Sequence, residues 1–260
     1  MPRRLRTQSA EATDVGRTRA VNEDAYAVNA EARTWILADG MGGHVGGRVA
    51  SRIAADEALD FMVRWRKEKD FVWPFEVMDS RSFEENSVAN AIRVANLRVY
   101  NRSQYDETCA GMGTTIVALA YNPEVGLVIG HVGDSRCYRL RASDFQLLTE
   151  DHSLVNHLKR AYGMSEQQAR DKAGKNVIVR AVGLEDDVDP ELNVDEPQPF
   201  DVYLACSDGL SEMVDDWIMQ NILIGHHEDL QGAADALVRA ANQNGGVDNI
   251  TVLLVRFLPD

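Results

Sequence analysis

The stretch Thr34-Trp35-Ile36-Leu37-Ala38-Asp39-Gly40-Met41-Gly42-Gly43 joins a short apolar run to an acidic, glycine-rich loop. An apolar run that stops at Asp-Gly predicts a buried strand entering a loop. Gly40 has no side chain, so its carbonyl can approach a ligand closely. Carboxylate and carbonyl oxygens both suit Mg²⁺ or Mn²⁺, although a single Asp-Gly pair is more often a plain turn.

The same arrangement recurs at three other apolar runs. Asp208-Gly209 follows residues 202–206, Asp134 lies between residues 125–132 and 137–140, and Asp248-Asn249 precedes residues 250–257. Each aspartate alone is explained by a turn. Together, carboxylates gathered without a matching set of cations predict a hard metal ion.

Asn22-Glu23-Asp24 adds two carboxylates near the start of the chain. Arg19 is the best candidate for binding a substrate anion, because a guanidinium recognises phosphate in a planar, bidentate way. The alternative is a solvated surface arginine, and Arg17 is a nearby competitor for the role.

The surrounding pattern predicts an α+β fold. Helices are predicted at about 47–66, 83–105, 153–172, 211–223 and 230–242, and strands at 34–38, 114–121, 125–132, 137–140, 145–148, 177–179, 202–206 and 250–257. Consecutive strands joined by tight turns favour antiparallel pairing. We therefore expect a sandwich of two antiparallel sheets flanked by helices.

Composition excludes several classes of protein. The 260 residues suit a single domain over 1–260, and the net charge of −14 argues against a nucleic-acid partner. No stretch reaches membrane-spanning length, and no apolar segment follows the basic start, so we expect a cytoplasmic protein without a secretion signal. HExxH and Walker-type motifs are absent from the sequence, which disfavours a zinc hydrolase and a P-loop enzyme.

These motifs, in this order, resemble the metal-dependent protein phosphatases of the PPM or PP2C family, and the bacterial branch most of all. The resemblance extends from Arg17 to Arg256 and rests on six elements: Arg19 with Asn22-Glu23-Asp24, Asp39-Gly40-Met41-Gly42-Gly43, Gly113-Thr114-Thr115, Gly133-Asp134-Ser135-Arg136, Ser207-Asp208-Gly209, and Asp248-Asn249. It implies the α-β-β-α layering of that family.

The resemblance also implies a binuclear Mn²⁺ or Mg²⁺ centre. Asp39 would bridge the two ions, and Asp208 and Asp248 would hold the first. The Gly40 carbonyl and, through water, Asp24 would support the second. A third, weaker ion would use Asp134 with Asp208, and residues 153–182 would form a flap beside the site.

The implied activity is hydrolysis of phosphoserine and phosphothreonine in proteins by direct attack of a metal-bridging hydroxide, opposing a bacterial Ser/Thr kinase. We expect a monomer. Animal members carry a histidine directly after the Asp-Gly pair, where this chain has Met41, so the general acid is either metal-bound water or His44. The alternatives are a non-catalytic scaffold that binds phosphoproteins and a phosphoesterase acting on small molecules.

Overall fold

The computed structural model describes residues 5–43, 45–68, 70–174 and 177–260. Its strands are β1 (Leu5–Asp14), β2 (Asp24–Asn29), β3 (Thr34–Met41), β4 (Gly113–Thr114), β5 (Ile116–Asn122), β6 (Gly126–Val132), β7 (Arg136–Arg141), β8 (Asp144–Leu147), β9 (Glu191–Asp195), β10 (Val202–Cys206) and β11 (Ile250–Pro259). Its helices are α1 (Gly46–Lys67), α2 (Phe83–Tyr105), α3 (Leu154–Tyr162), α4 (Glu166–Ala173), α5 (Asp208–Ser211), α6 (Asp216–Gly225) and α7 (Leu230–Gln243). A short 3-10 helix spans Glu107–Cys109.

The strands form two sheets. One has the order β1-β11-β10-β7-β8, and the other has the order β2-β3-β5-β6-β9 with β4 added beside β3. Every strand pair in both sheets is antiparallel. The predicted α+β sandwich is therefore confirmed.

Three apolar layers hold the sandwich together. Trp35, Leu119, Tyr203 and Phe257 fill the space between the sheets. The second sheet packs its outer face against α1 and α2, and the first sheet packs its outer face against α5, α6 and α7. Because the central strands are covered on both faces, they are continuous apolar runs, and this explains why they were readily predicted.

The two long helices confirm the predictions at 47–66 and 83–105. Alanines, among them Ala50, Ala54 and Ala58, occupy the buried face of α1, so its backbone can lie close to β2 and β3. Ser82 begins α2 with a capping box, in which its hydroxyl accepts from the Glu85 amide while the Glu85 carboxylate accepts from the Ser82 amide.

Four predicted elements were wrong in extent. The helix predicted at 153–172 is two helices, α3 and α4, because Gly163 ends the first in a left-handed conformation and Ser165 caps the second. The strand predicted at 114–121 is divided at Thr115, whose amide donates to the Asp39 carbonyl instead of continuing a ladder. The helix predicted at 211–223 is two helices, α5 and α6, because Asp215 adopts an extended backbone and starts the second one. The strand predicted at 177–179 is reduced to one bridge between Ile178 and Ser153, because α3 begins at the next residue.

The predictions omitted three strands, β1, β2 and β9. Each lies at the edge of a sheet and pairs with a single strand: β1 with β11, β2 with β3 and β9 with β6. Polar residues alternate along β1 and β9, and much of their surface is exposed, so they lack the apolar signal of the central strands, whereas β2 is only six residues long. In the part of the chain that the structure describes, no helix is both long and apolar enough to cross a bilayer.

Candidate metal centre

The centre begins with a pair of carboxylates on neighbouring strands. Asp24 starts β2 and stands directly opposite Asp39 of β3 in the antiparallel register. Side chains opposite each other lie on the same face of a sheet, and like charges in that position destabilise the pairing. A bound cation, or a proton on one of the two carboxyl groups, would relieve this repulsion.

Three further aspartates come from segments that connect strands at the same end of the sandwich. Asp134 lies between β6 and β7, which belong to different sheets, so its turn is a crossing between the two layers and not a hairpin. Asp208 follows β10 as the first residue of α5, and Asp248 lies two residues before β11. Asp39 feels the charge of Asp24, Asp134, Asp208 and Asp248, so the structure brings all five predicted aspartates together.

Hydroxyl groups orient Asp24 and leave half of its carboxylate unused. Its Oδ2 accepts from Ser207 Oγ at 2.8 Å and from Thr251 Oγ1 at 2.7 Å. Its Oδ1 is buried and has no hydrogen-bond partner, and the same is true of Asp134 Oδ1. Buried carboxylate oxygens without partners are costly, and in native proteins they call for a ligand.

Thr115 connects two of the aspartate-bearing segments. Its Oγ1 accepts from the Asp39 amide at 3.1 Å and contacts Ser135 Oγ at 2.7 Å. The Asp39 carbonyl in turn accepts from the Thr115 amide at 2.8 Å and from Thr114 Oγ1 at 2.8 Å. The position of Asp39 is thus linked to the turn that carries Asp134.

Asn249 pins the loop that carries Arg19. Its Nδ2 donates to the carbonyls of Val15 and Val21 at 3.0 Å each, and its Oδ1 accepts from the Glu23 amide at 2.8 Å. Its neighbour Asp248 accepts from Arg19 Nη2 at 2.7 Å. Arg19 is about half exposed there, which places a guanidinium at the open rim of the centre.

The local electrostatics indicate a shortage of positive charge. Burial, followed by repulsion from Asp24, raises the pKa of Asp39 well above its usual range, and burial and Asp134 do the same to the pKa of Asp208. Burial raises the pKa of Asp24 to about 6, even though Thr251 and Ser207 donate to it. Burial, with Asp151 nearby, also raises the pKa of Asp134 to about 6.

The donors fit hard divalent cations. The gathered side chains offer carboxylate oxygens, two of them buried without a partner, and Mg²⁺ and Mn²⁺ prefer oxygen ligands. Gly40 is packed tightly: a Cβ there would lie 2.1 Å from the Gly47 carbonyl oxygen, so only glycine fits between β3 and α1. Met41 ends β3 and supplies no acid, and His44 lies outside the described residues.

Sequence reasoning missed several supporting residues. Ser207 and Thr251 hold Asp24, and Asn249 holds the Arg19 loop. In these segments, the sequence predicted site roles only for the aspartates next to Ser207 and Asn249. Thr115 belongs to the Gly113-Thr114-Thr115 motif and could have been found there. Thr251 carries no local signal, because it is a strand residue whose partner is 227 positions away.

Comparison with known proteins agrees with this geometry. Residues 15–250 match the family model described as Protein phosphatase 2C. The serine/threonine phosphatase stp of Listeria welshimeri is 38% identical over 246 residues, which cover 94% of this chain and 93% of that protein.

Solved structures are similar over almost the whole chain. The serine/threonine phosphatase PstP/Ppp of Mycobacterium tuberculosis has a TM-score of 0.81 at 30% identity, covering 98% of this chain and 100% of that one. A catalytic domain of PstP in complex with two manganese ions has a TM-score of 0.80 at 29% identity, with the same coverage. This chain belongs to the protein phosphatase 2C family.

Proposed function

We propose that this chain is a metal-dependent protein serine/threonine phosphatase that hydrolyses phosphoserine and phosphothreonine. The observation that carries the proposal is the cluster of five aspartates with two buried, unpartnered carboxylate oxygens. Membership of the family and the names of the relatives support catalysis over a non-catalytic scaffold.

The aspartates would serve three ion positions in this proposal. Asp39, Asp208 and Asp248 would hold the first ion, and Asp39, the Gly40 carbonyl and Asp24 would hold the second. Asp134 and Asp208 would hold a third, weaker ion. Bound divalent cations would supply positive charge for the phosphoryl group and lower the pKa of water at the site.

The chain's own residues would then orient the substrate. Arg19 lies at the rim, half exposed and 2.7 Å from Asp248, so it is available to bind phosphoryl oxygens through its remaining donors. Ser207 and Thr251 keep Asp24 in one orientation, and Thr115 does the same for the Asp39 backbone. Arg19 would therefore both bind the phosphate and contact Asp248, whereas Ser207, Thr251 and Thr115 would only hold the carboxylate-bearing residues.

We further infer the setting of the enzyme. Its ions would be Mn²⁺ or Mg²⁺, two per site and a third at the weaker position, and its substrates would be phosphoproteins made by a cognate Ser/Thr kinase. Residues 153–182 would act as a flap subdomain of the single domain. The acidic surface and the compact fold suit a monomer in the cytoplasm.

The test is hydrolysis of a phosphothreonine peptide by metal-stripped protein, with Mn²⁺ or Mg²⁺ added back and Asp208→Asn as the control. We expect turnover that requires the ion and disappears in the variant. The same samples are compared on a small aryl phosphate. No hydrolysis of either substrate by folded, ion-loaded protein would favour the scaffold, and hydrolysis of the small substrate alone would favour a small-molecule phosphoesterase.

A further inference from the structure

His131, His152 and Glu191 form a cluster beside the metal centre that the proposed chemistry does not use. Ligand atoms of the three side chains all lie within 4.8 Å of one another. His131 of β6 pairs with Glu191 of β9 in the sheet register, and the rings of His131 and His152 are stacked with centroids 4.7 Å apart. Both histidines are buried.

The geometry argues against a metal ion in this cluster. His152 Nδ1 faces the Gly133 amide at 3.1 Å, so this nitrogen is the acceptor and Nε2 carries the hydrogen of the neutral ring. The two ring planes are inclined by only 21°. His131 Nε2 donates to the Glu150 carbonyl at 2.9 Å, so this nitrogen has no lone pair free for an ion.

His152 instead joins two segments of backbone. Its Nδ1 accepts from the Gly133 amide, and its own amide donates to the Gly133 carbonyl at 2.9 Å. Gly133 is the residue before Asp134, and it is confined on its other side by Thr115, which would lie 2.6 Å from a Cβ at this position. The turn that carries Asp134 is thus held between Thr115 and His152.

The same histidine closes the base of the segment that follows it. The His152 carbonyl accepts from the Val179 amide at 2.9 Å, and the Leu154 amide donates to the Val177 carbonyl at 2.7 Å. We call these two hydrogen bonds the neck of the segment that contains α3 and α4. Asp151 reinforces the attachment through two hydrogen bonds to Arg136, at 2.9 and 2.7 Å.

We propose that His152 is a positioning residue that couples the neck to the orientation of Asp134, so that ordering of one favours ordering of the other. The inference rests on the proposed function, because it assigns Asp134 to a cation. The unpartnered Oδ1 of Asp134 supports that assignment. Burial and the nearby His131 lower the pKa of His152 to about 4, which keeps the ring neutral and its Nδ1 free to accept.

Two substitutions distinguish the role of the His152 hydrogen-bond acceptor from the role of its aromatic ring. In His152→Asn, Oδ1 can take the place of Nδ1 and keep the bond from the Gly133 amide, whereas His152→Phe keeps the stacked ring and leaves that amide unsatisfied. His157→Phe is the matched control, because His157 is an exposed histidine of α3 outside the cluster. Amide hydrogen exchange of Leu154 and Val179 is measured together with the Mn²⁺ binding isotherm.

We expect His152→Phe to speed exchange at both neck amides by about tenfold and to weaken the weakest Mn²⁺ site by about tenfold, the effect of stranding one buried donor. His152→Asn should stay within about threefold of the wild type in both measurements, and His157→Phe should change neither. Unchanged exchange and binding in His152→Phe would overturn the proposal. Equal changes in exchange and Mn²⁺ binding in His152→Asn and His152→Phe would also overturn it, since the hydrogen-bond acceptor would then have no effect.

The wild-type protein provides a test that does not depend on folding of the variants. Because coupling is reciprocal, saturating Mn²⁺ should slow exchange at the two neck amides, and Asp134→Asn should abolish that slowing. If the exchange rates of the two neck amides do not change with Mn²⁺, the coupling is rejected, even if the protein hydrolyses phosphopeptides normally. Mn²⁺-dependent slowing without any hydrolysis would instead reject the proposed function and retain the coupling.

Discussion

Asp24 and Asp39 show how single residues impose a requirement for cations. They stand opposite each other across β2 and β3, and burial together with their neighbours raises the pKa of both. Hydrogen bonds from Ser207 and Thr251 offset part of the free-energy cost of burying the Asp24 carboxylate, but they do not reach its Oδ1. Among the described residues, no group provides a partner for this oxygen, so the site is arranged for a ligand.

Asp208→Asn is the substitution that should damage the centre most. It removes a carboxylate that we assign to two cation positions, so we expect loss of tight Mn²⁺ binding and a fall in kcat of about a thousandfold or more. Binding is followed by calorimetry and turnover on a phosphothreonine peptide. The fold is checked by circular dichroism, and a variant that binds and turns over normally would contradict the assignment of Asp208.

Arg19→Ala should separate phosphate binding from cation binding. Losing a charge-assisted contact of about 1.5–3 kcal/mol should raise KM or lower kcat/KM by roughly ten- to a hundredfold, with Mn²⁺ binding retained. Arg17→Ala is the control, since Arg17 lies two residues earlier in the same pinned loop and is also exposed. Equal effects of the two substitutions, or none from Arg19→Ala, would remove Arg19 from its proposed role.

At the scale of elements, the contact between β3 and α1 sets the position of the Asp39-Gly40 corner. A Cβ on Gly40 would meet the backbone carbonyl oxygens of Gly47 at 2.1 Å and of Glu23 at 2.6 Å. Neither is the end of a flexible side chain. The strand and the helix must therefore move apart to accept any larger residue, and Asp39 would move with the strand.

Gly40→Ala should therefore lower both stability and activity. Overpacking typically costs about 1–3 kcal/mol, which predicts a fall in Tm of several degrees and weaker Mn²⁺ binding. Gly225→Ala is the matched control, because a Cβ at that position of α6 meets nothing within 4 Å. If both substitutions leave Tm and Mn²⁺ binding unchanged, β3 and α1 can separate more easily than the packing indicates.

Across the whole molecule, the acidic cluster makes the stability of the metal-free protein depend on pH. Asp24 and Asp134 have folded-state pKa values of about 6, above the ordinary carboxyl value. Between the ordinary value of about 4 and the raised value, the folded protein holds more protons than the unfolded one. Stability contributed by these groups is therefore present at low pH and falls as pH rises through about 6.

Unfolding of EDTA-treated protein at about pH 5 and about pH 7.5 tests this linkage. We expect the cluster to lower the free energy of unfolding at the higher pH by on the order of 2 kcal/mol, and Asp208→Asn to reduce the drop by relieving repulsion. Mn²⁺ at a hundred times its Kd should restore about 2.7 kcal/mol per site at the higher pH. A drop that is the same in wild type and Asp208→Asn would place its origin outside the cluster.

Much of the fold was predictable because its central elements have clear patterns in the local sequence. The buried strands β3, β6, β10 and β11 are apolar runs, and α1 and α2 carry stripes that match their extents within a residue or two. The edge strands β1 and β9 were not predicted, because a half-exposed strand is specified mainly by the strand with which it pairs. The split at Thr115 was likewise invisible, since its cause is a hydrogen bond to Asp39, 76 residues away.

The amino-acid sequence by itself determined which chemistry is available: aspartates beside apolar runs, two of them (Asp39 and Asp208) followed by glycine, in the order typical of the family. Only the tertiary structure decided that β6 and β7 lie in different sheets, that Asn249 pins the Arg19 loop, and that His152 fastens the neck to Gly133. The reason is the range of the interactions. Apolar patterns and turn preferences are properties of neighbouring residues in the chain. The contact between Asp24 and Thr251 joins residues 227 positions apart, so no local pattern predicts it.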